Sequence, residues 1–316
     1  MQETIQMIKK WMGISCLLAL LFVVAACGDS SAQPSNSPDS EVPGDFTHKT
    51  PSLPTTYLDT SGKVYAWHKS YNSVQSIQNR IPAPDGFQRV ASDEAGFGDW
   101  LRGLPLKPGR PDVLLYNGSP KGYQGAQHAV IDMDVGERDL QQCADAVMRL
   151  RAEWLYSADR PSDIHFNFTS GDRCDWDRWR QGMRPKIRGN SVTWSASAQA
   201  SDSYPNFKRY LNMVYNYAGT ASLSKELKRI GVAEIRPGDV FIQGGFPGHA
   251  VMVVDVAENA DGKKAFLLAQ SYMPAQEMHV LVNPMDEGMS PWYVAGEGAE
   301  LRTPEWTFEW SDLKRF

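Results

Sequence analysis

The stretch Arg236 to Gln276, RPGDVFIQGGFPGHAVMVVDVAENADGKKAFLLAQSYMPAQ, decides the fold. Arg236-Pro237-Gly238-Asp239 opens a tight turn, and Val240, Phe241 and Ile242 form a short apolar strand. Gly244-Gly245-Phe246-Pro247-Gly248 then brings the backbone to His249, at the mouth of a very apolar strand from Ala250 to Val256. Asn259-Ala260-Asp261-Gly262 reads as a hairpin turn. The return strand, Ala265 to Ala269, ends in Gln270, roughly opposite the start of the His249 strand. A polar residue at each open end of an apolar hairpin marks a candidate site, with a buried hairpin and two satisfied polar ends as the plain alternative.

Working outward, the 316 residues are 42% hydrophobic and 11% aromatic, with a formal net charge of -5. That is the composition of a globular chain. It excludes a nucleic-acid surface, which needs clustered Lys and Arg. The length allows one large domain or two small ones.

The N-terminus reads as a targeting segment. Lys9 and Lys10 form a basic start, Ile14 to Ala26 is an uncharged apolar run, and Val24-Ala25-Ala26-Cys27 resembles a lipobox. The run is shorter than the ~20 residues of a membrane span. The expectation is a lipoprotein signal peptide over residues 1–26, removed to leave Cys27 as an acylated, membrane-anchoring first residue. Gly28, where enterobacterial inner-membrane retention uses Asp, points to the outer membrane. Residues 27–56, rich in Ser, Pro, Asp and Asn, read as a flexible tether, and 57–316 as a single domain.

Cys143 and Cys174 then remain in the mature domain. Two cysteines in an oxidising compartment are most simply a disulfide, which competes with any thiol chemistry.

Helices are expected over Ser92 to Leu104, Leu140 to Tyr156, Ser203 to Tyr217 and Leu223 to Ile230, with a short aromatic one at Trp176 and Trp179. Strands are expected at Val113 to Tyr116, Gln127 to Met133, Ile164 to Phe168, around Val192 and Trp194, in the hairpin, and last at His279 to Val282. Asp139-Leu140-Gln141-Gln142 has the spacing of a capping box, which places Cys143 in the first turn or so of the longest helix. The helix macrodipole lowers a thiol pKa at that end. Equally, Cys143 occupies a core position of an amphipathic helix. Helices first and a hairpin-rich antiparallel sheet late give α+β.

A cysteine opening a helix, a histidine opening a later strand and an amide ending the next strand resemble the order in papain-like cysteine hydrolases, including the NlpC/P60 and CHAP peptidases. The phrases Pro237-Gly238-Asp239-Val240 and Gly248-His249-Ala250-Val251 add to the likeness. It implies a papain-like arrangement in which Cys143 is the nucleophile, His249 the general base and Gln270 its orienting partner, with Gln141 or Gln142 supplying an oxyanion donor. Such a protein acts as an amidase or peptidase on peptidoglycan peptides. The chain departs from the usual pattern in having Gln142 and Ala144 around the cysteine and about a hundred residues between Cys143 and His249. A non-catalytic envelope lipoprotein that binds peptide, glycan or a protein partner is the alternative.

The stretches WLRGLPL (100–106), DVGERDLQQCADAVMRLRAEWLY (134–156), GDVFIQGGFPGHAVMVVDVAE (238–258) and LLAQSYMPAQEMHVLVNP (267–284) resemble the bacterial domain of unknown function 4846 over about Phe87 to Trp310. That likeness implies an envelope location and no particular activity.

Other groups have plainer readings. Asp132, Asp134 and Asp139 could act as paired carboxylates, but acids before a helix complement its dipole. Trp67, His68, Trp176, Trp179 and Trp292 could line a groove, though most tryptophans are core. Arg184 could meet a substrate carboxylate or a structural Asp. No metal-ligand run and no cofactor motif is present, so neither metal nor cofactor is expected.

Overall fold

A computed structural model describes residues 63–316. The stretches read as a signal peptide (1–26), a lipidation site (Cys27) and a tether (27–56), and residues 57–62, lie outside the described residues.

The chain begins with short pieces: α1 (Ile77–Arg80), β1 (Phe87–Arg89), α2 (Phe97–Arg102) and β2 (Gln127–Val130). The longest helix, α3 (Cys143–Ser157), is followed by β3 (His165–Asn167), β4 (Arg173–Asp175), α4 (Trp176–Arg180), β5 (Met183–Arg188) and β6 (Ser191–Ala196). Two more helices, α5 (Tyr204–Tyr217) and α6 (Thr220–Glu226), lead to β7 (Lys228–Arg229) and β8 (Val240–Gln243). The hairpin is β9 (His249–Asn259) and β10 (Lys264–Gln270), then β11 (His279–Leu281) and β12 (Tyr293–Val294). The chain closes with β13 (Leu301–Arg302), β14 (Thr307–Phe308) and β15 (Leu313–Arg315).

The protein is therefore mixed α and β, with antiparallel pairing throughout its main sheet. That nine-stranded sheet runs β2-β11-β10-β9-β8-β15-β7, with β1 added to β9 and β12 to β10. Its centre is the hairpin read from the sequence. Two stretches differ from their expected place in the order. β2 joins the sheet from before the long helix, and β15, not the His279 strand, supplies the last strand of the sheet, between β8 and β7.

β9 has no polar face because both its faces are covered. Ala250, Met252 and Val254 join the helix-side core with Val147, Leu150 and Leu211. Val251 and Val253 join the opposite core with Phe241, Phe266, Phe308 and Leu313. A register shift between Leu267 and Leu268 then moves Val256 to this second face.

Helix boundaries moved where local hydrogen bonding overruled apolar spacing. α3 begins at Cys143, not Leu140, because the Asp145 carboxylate accepts the backbone N–H of Gln142 at 3.1 Å. The capping interaction thus sits one turn later than the Asp139 to Gln142 reading. α2 is shorter than Ser92 to Leu104 and starts after Gly96; the Ser92 hydroxyl instead accepts from Arg102 at 3.0 Å. Val113 to Tyr116 forms only isolated bridges, to Pro120 and Gln276. Cys174 lies on β4, not in a loop, and α6 starts at Thr220, ahead of Leu223.

One buried charge ties the N-terminal pieces to the sheet. Asp255 on β9 is fully buried and accepts from Arg89 Nε at 2.6 Å and Arg102 Nε at 2.5 Å. Removing the carboxylate leaves two guanidinium groups without their counter-charge. Asp255→Ala is expected to destabilise the fold by about 3–5 kcal/mol, read by denaturant unfolding; a loss below about 1 kcal/mol would contradict this role.

Candidate active site

The N-terminus of α3 is pinned to the end of the hairpin by its own preceding turn. The Asp139 carboxylate accepts the backbone N–H of Ala275 at 2.7 Å, and the Ser271 hydroxyl donates to the Gln141 carbonyl at 3.1 Å. Arg149, fully buried nearly two helical turns on, holds the same segment. It donates to the Asp134 carbonyl and, at 2.5 Å, to Gln141 Oε1, and it pairs with Asp134 and Glu153.

Cys143 is thereby set beside the start of β9. The two line one cleft of about 450 Å³, with Gln142, Tyr272 and Trp306 around them. The backbone N–H groups of Cys143, Ala144 and Ala250, the residue after His249, act on the thiol electrostatically and favour its thiolate. The far wall is the Gly-Gly-Phe-Pro-Gly loop packed onto α6. A Cβ on Gly248 would sit 2.5 Å from Thr220 Oγ1 and 2.7 Å from the Gln243 carbonyl, so this close approach requires glycine. Phe246 and Met273, 90% and 62% exposed, stand on the rim.

His249 is buried among Tyr272, Trp306 and Phe308, with ring centroids 4.7, 5.3 and 5.9 Å away. Its Nε2 lies 3.0 Å from Gln270 Oε1. The orientation of that amide follows from its other contacts. Gln270 Nε2 donates to Glu305 Oε2 at 2.6 Å. It also lies 3.4 Å from His279 Nε2, while His279 Nδ1 meets the Glu277 carbonyl at 2.9 Å. A carbonyl only accepts, so His279 carries its proton on Nδ1 and presents a bare Nε2. Both amide hydrogens of Gln270 are then committed, and Oε1 must face His249. His249 consequently bears its proton on Nε2 and turns a free lone pair on Nδ1 to its other side. Lys121 pairs with Glu305 behind the amide and completes the chain.

Burial sets the charge states. It lowers His249 to about 4, the Gln270 hydrogen bond acting the other way. It raises Cys143 to about 11, helped by the neighbouring Asp145 carboxyl and opposed by the three N–H groups. The lowering expected from the helix macrodipole is thus outweighed by lost water. Cys174 is free and buried, with its thiol pushed up by burial, and Cys143 is also free, so the expected disulfide does not form.

The structure brings Cys143, His249 and Gln142 onto one cleft and seats Gln270 behind His249. Gln142 Nε2 donates to Asp139 at 3.0 Å; Gln141 Oε1 accepts from Arg149. The other candidates are structural. Asp134 is held at about 2 by Arg149 and Lys208 against the cost of burial, and Asp132 meets His68 at 3.3 Å. Trp176, Trp179 and Trp292 are core, and Arg184 stacks 4.0 Å over Trp179 while donating to backbone carbonyls, with no Asp partner. Glu305, Lys121 and His279 carry no local sequence signal, being 35, 149 and 9 residues from Gln270.

A second cavity, of about 480 Å³ between Asn283 and Trp310, holds neither cysteine nor histidine. Among the described residues no three His, Cys, Asp or Glu side chains converge as a metal would require.

The chain belongs to the family of the domain of unknown function 4846, whose model matches residues 77–315. No curated protein and no solved structure matches it.

The imidazole of His249 is expected to titrate near 4, against an ordinary value of 6.5, with its proton on Nε2 throughout neutral pH. Side-chain nitrogen NMR reads both properties. A midpoint above 6, or a proton on Nδ1, would contradict the hydrogen-bond assignment. Glu305→Ala should free the Gln270 amide to flip and mix the two tautomers.

Proposed function

We propose that this protein is a lipid-anchored thiol amidase or peptidase of the cell envelope, with a papain-like arrangement, acting on peptidoglycan peptides. The observation that carries the reading is the shared cleft. A thiol at a helix N-terminus lines the same cleft as a histidine whose tautomer is set by a buried amide and whose Nδ1 lone pair is free.

In the proposed reaction, Nδ1 of His249 takes the thiol proton and the sulfur attacks the substrate carbonyl. The backbone N–H groups of the first α3 turn have no intrahelical partner, and with the Gln142 amide they receive the developing oxyanion. His249 returns its proton to the leaving amine, and a thioester remains on Cys143. Water then adds, with His249 again as base, and releases the carboxylic acid and the free thiol. Burial leaves the pair neutral. A thiolate beside an imidazolium offsets the burial cost of both, so the two titrate together once substrate closes the site.

Cys143→Ala is expected to abolish release of peptide products from purified muropeptides, read by chromatography, while the unfolding transition is retained. His249→Ala should lower the rate by about a hundredfold to ten-thousandfold. Cys174→Ala, which removes one small buried group, should cost about 1 kcal/mol of stability and leave turnover near wild type. Undiminished hydrolysis by Cys143→Ala would sink the assignment.

The raised thiol pKa favours the alternative, an envelope lipoprotein that binds peptide or glycan in the same cleft without turnover. That reading expects saturable muropeptide binding by wild type and Cys143→Ala alike, and no products from either.

The envelope location rests on Val24-Ala25-Ala26-Cys27. Palmitate fed to producing cells should label the full-length protein, and Cys27→Ser should lose both the label and the membrane-bound fraction. Equal labelling of that variant would remove the anchor.

A further inference from the structure

The cavity between Asn283 and Trp310 takes no part in the chemistry proposed above. Its volume, about 480 Å³, falls in the range of small-molecule sites. Its lining divides by exposure. Tyr293, Val294 and Leu301 are buried and form an apolar floor, with Trp310 half-buried beside them. The polar atoms of both aromatic residues are already committed. The Tyr293 hydroxyl donates to the Val282 carbonyl, and Trp310 Nε1 donates to the Gly298 carbonyl at 3.2 Å. They bring ring surface to the cavity and no spare donor.

Asp286, Glu297, Glu300 and Arg302 line the same cavity and are exposed. Asp286 and Glu297 form no ion pair among the described residues, and Glu300 meets Arg302 only at 3.7 Å. These acceptors are dispersed. Among the described residues no three carboxylates come together as one metal ion would require.

We propose that this cavity binds a neutral saccharide of one or two rings. A sugar ring is amphipathic. The C–H groups on its faces suit an apolar, aromatic floor, and the hydroxyl donors around its edge suit acceptors spread about a rim. Three acids against one guanidinium disfavour an anionic sugar. A lone ammonium would engage one point of the rim and leave the floor and the other acceptors unused. The inference stands apart from the hydrolase reading, since it uses no residue of the cleft. One ribbon joins the two sites: Leu301 of β13 pairs with Phe308 of β14, whose ring centroid lies 5.9 Å from that of His249.

The test sets the full chain against four neutral disaccharides: diacetylchitobiose, cellobiose, maltose and lactose. Digalacturonic acid and cadaverine serve as charged comparators. Binding is read by NMR from two indole N–H signals, Trp310 in this cavity and Trp306 in the cleft. At least one neutral disaccharide is expected to move the Trp310 signal, with a dissociation constant of about 1 mM or tighter, and to leave Trp306 in place. Glu297→Ala and Glu300→Ala change exposed side chains and keep the fold; each should weaken that binding about tenfold.

No movement of Trp310 with any of the four sugars at about 20 mM overturns the site. So does movement of Trp306 alone, which would send the sugar to the cleft, or binding undiminished in both variants. Digalacturonic acid bound as tightly as the best neutral sugar would remove the charge argument, and cadaverine bound as tightly would make this a cation site. Hydrolysis in the cleft, present or absent, bears on none of these outcomes.

Discussion

Burial of β9 on both faces is the constraint from which most of this structure follows. A strand with core above and below has no solvent to satisfy a polar side chain, so each one along it must be met by another element. Asp255 is met by Arg89 and Arg102, which draws β1 and α2 onto the sheet. His249 is met by Gln270, and Gln270 by Glu305 and His279, which draws in β11 and the chain before β14. Two positions on one strand thus organise two regions of the protein, one structural and one facing a cleft.

The same exclusion of water accounts for the electrostatics around Cys143. Burial pushes a thiol and a carboxyl up and an imidazole down, and all three shifts occur within one cleft. Each group is thereby favoured in its neutral form. Such a site is held by geometry rather than by a standing ion pair. Its positioning depends on the Asp139, Ser271 and Arg149 contacts that hold the start of α3.

Much of this was legible in the residues. Unbroken apolar character from Ala250 to Val254, a turn at Asn259 to Gly262 and an apolar return strand could only be a buried hairpin. Cys143 and His249 stood out because each opens an element, and Gln270 because it closes one. The boundary of α3 was misplaced by three residues because two overlapping capping patterns were present. Only the backbone path shows that Asp145, not the Asp139 to Gln142 pattern, caps the helix. The closing strand β15 was not legible: Leu313 to Arg315 is too short for a period to show, and its place between β8 and β7 is a matter of pairing.

The sequence by itself determined the mixed α and β composition, the central hairpin, the antiparallel pairing within it and the residues bearing reactive groups. Those properties depend on periodicity and turn chemistry within a few residues. Tertiary structure alone decided that Cys143 and Cys174 stay apart, that Gln270 must turn its oxygen to His249, and that burial outweighs the helix dipole at Cys143. These are consequences of proton donors, acceptors and charges meeting across tens to well over a hundred residues of chain. Local pattern carries no trace of such meetings, because folding and not spacing brings the groups together.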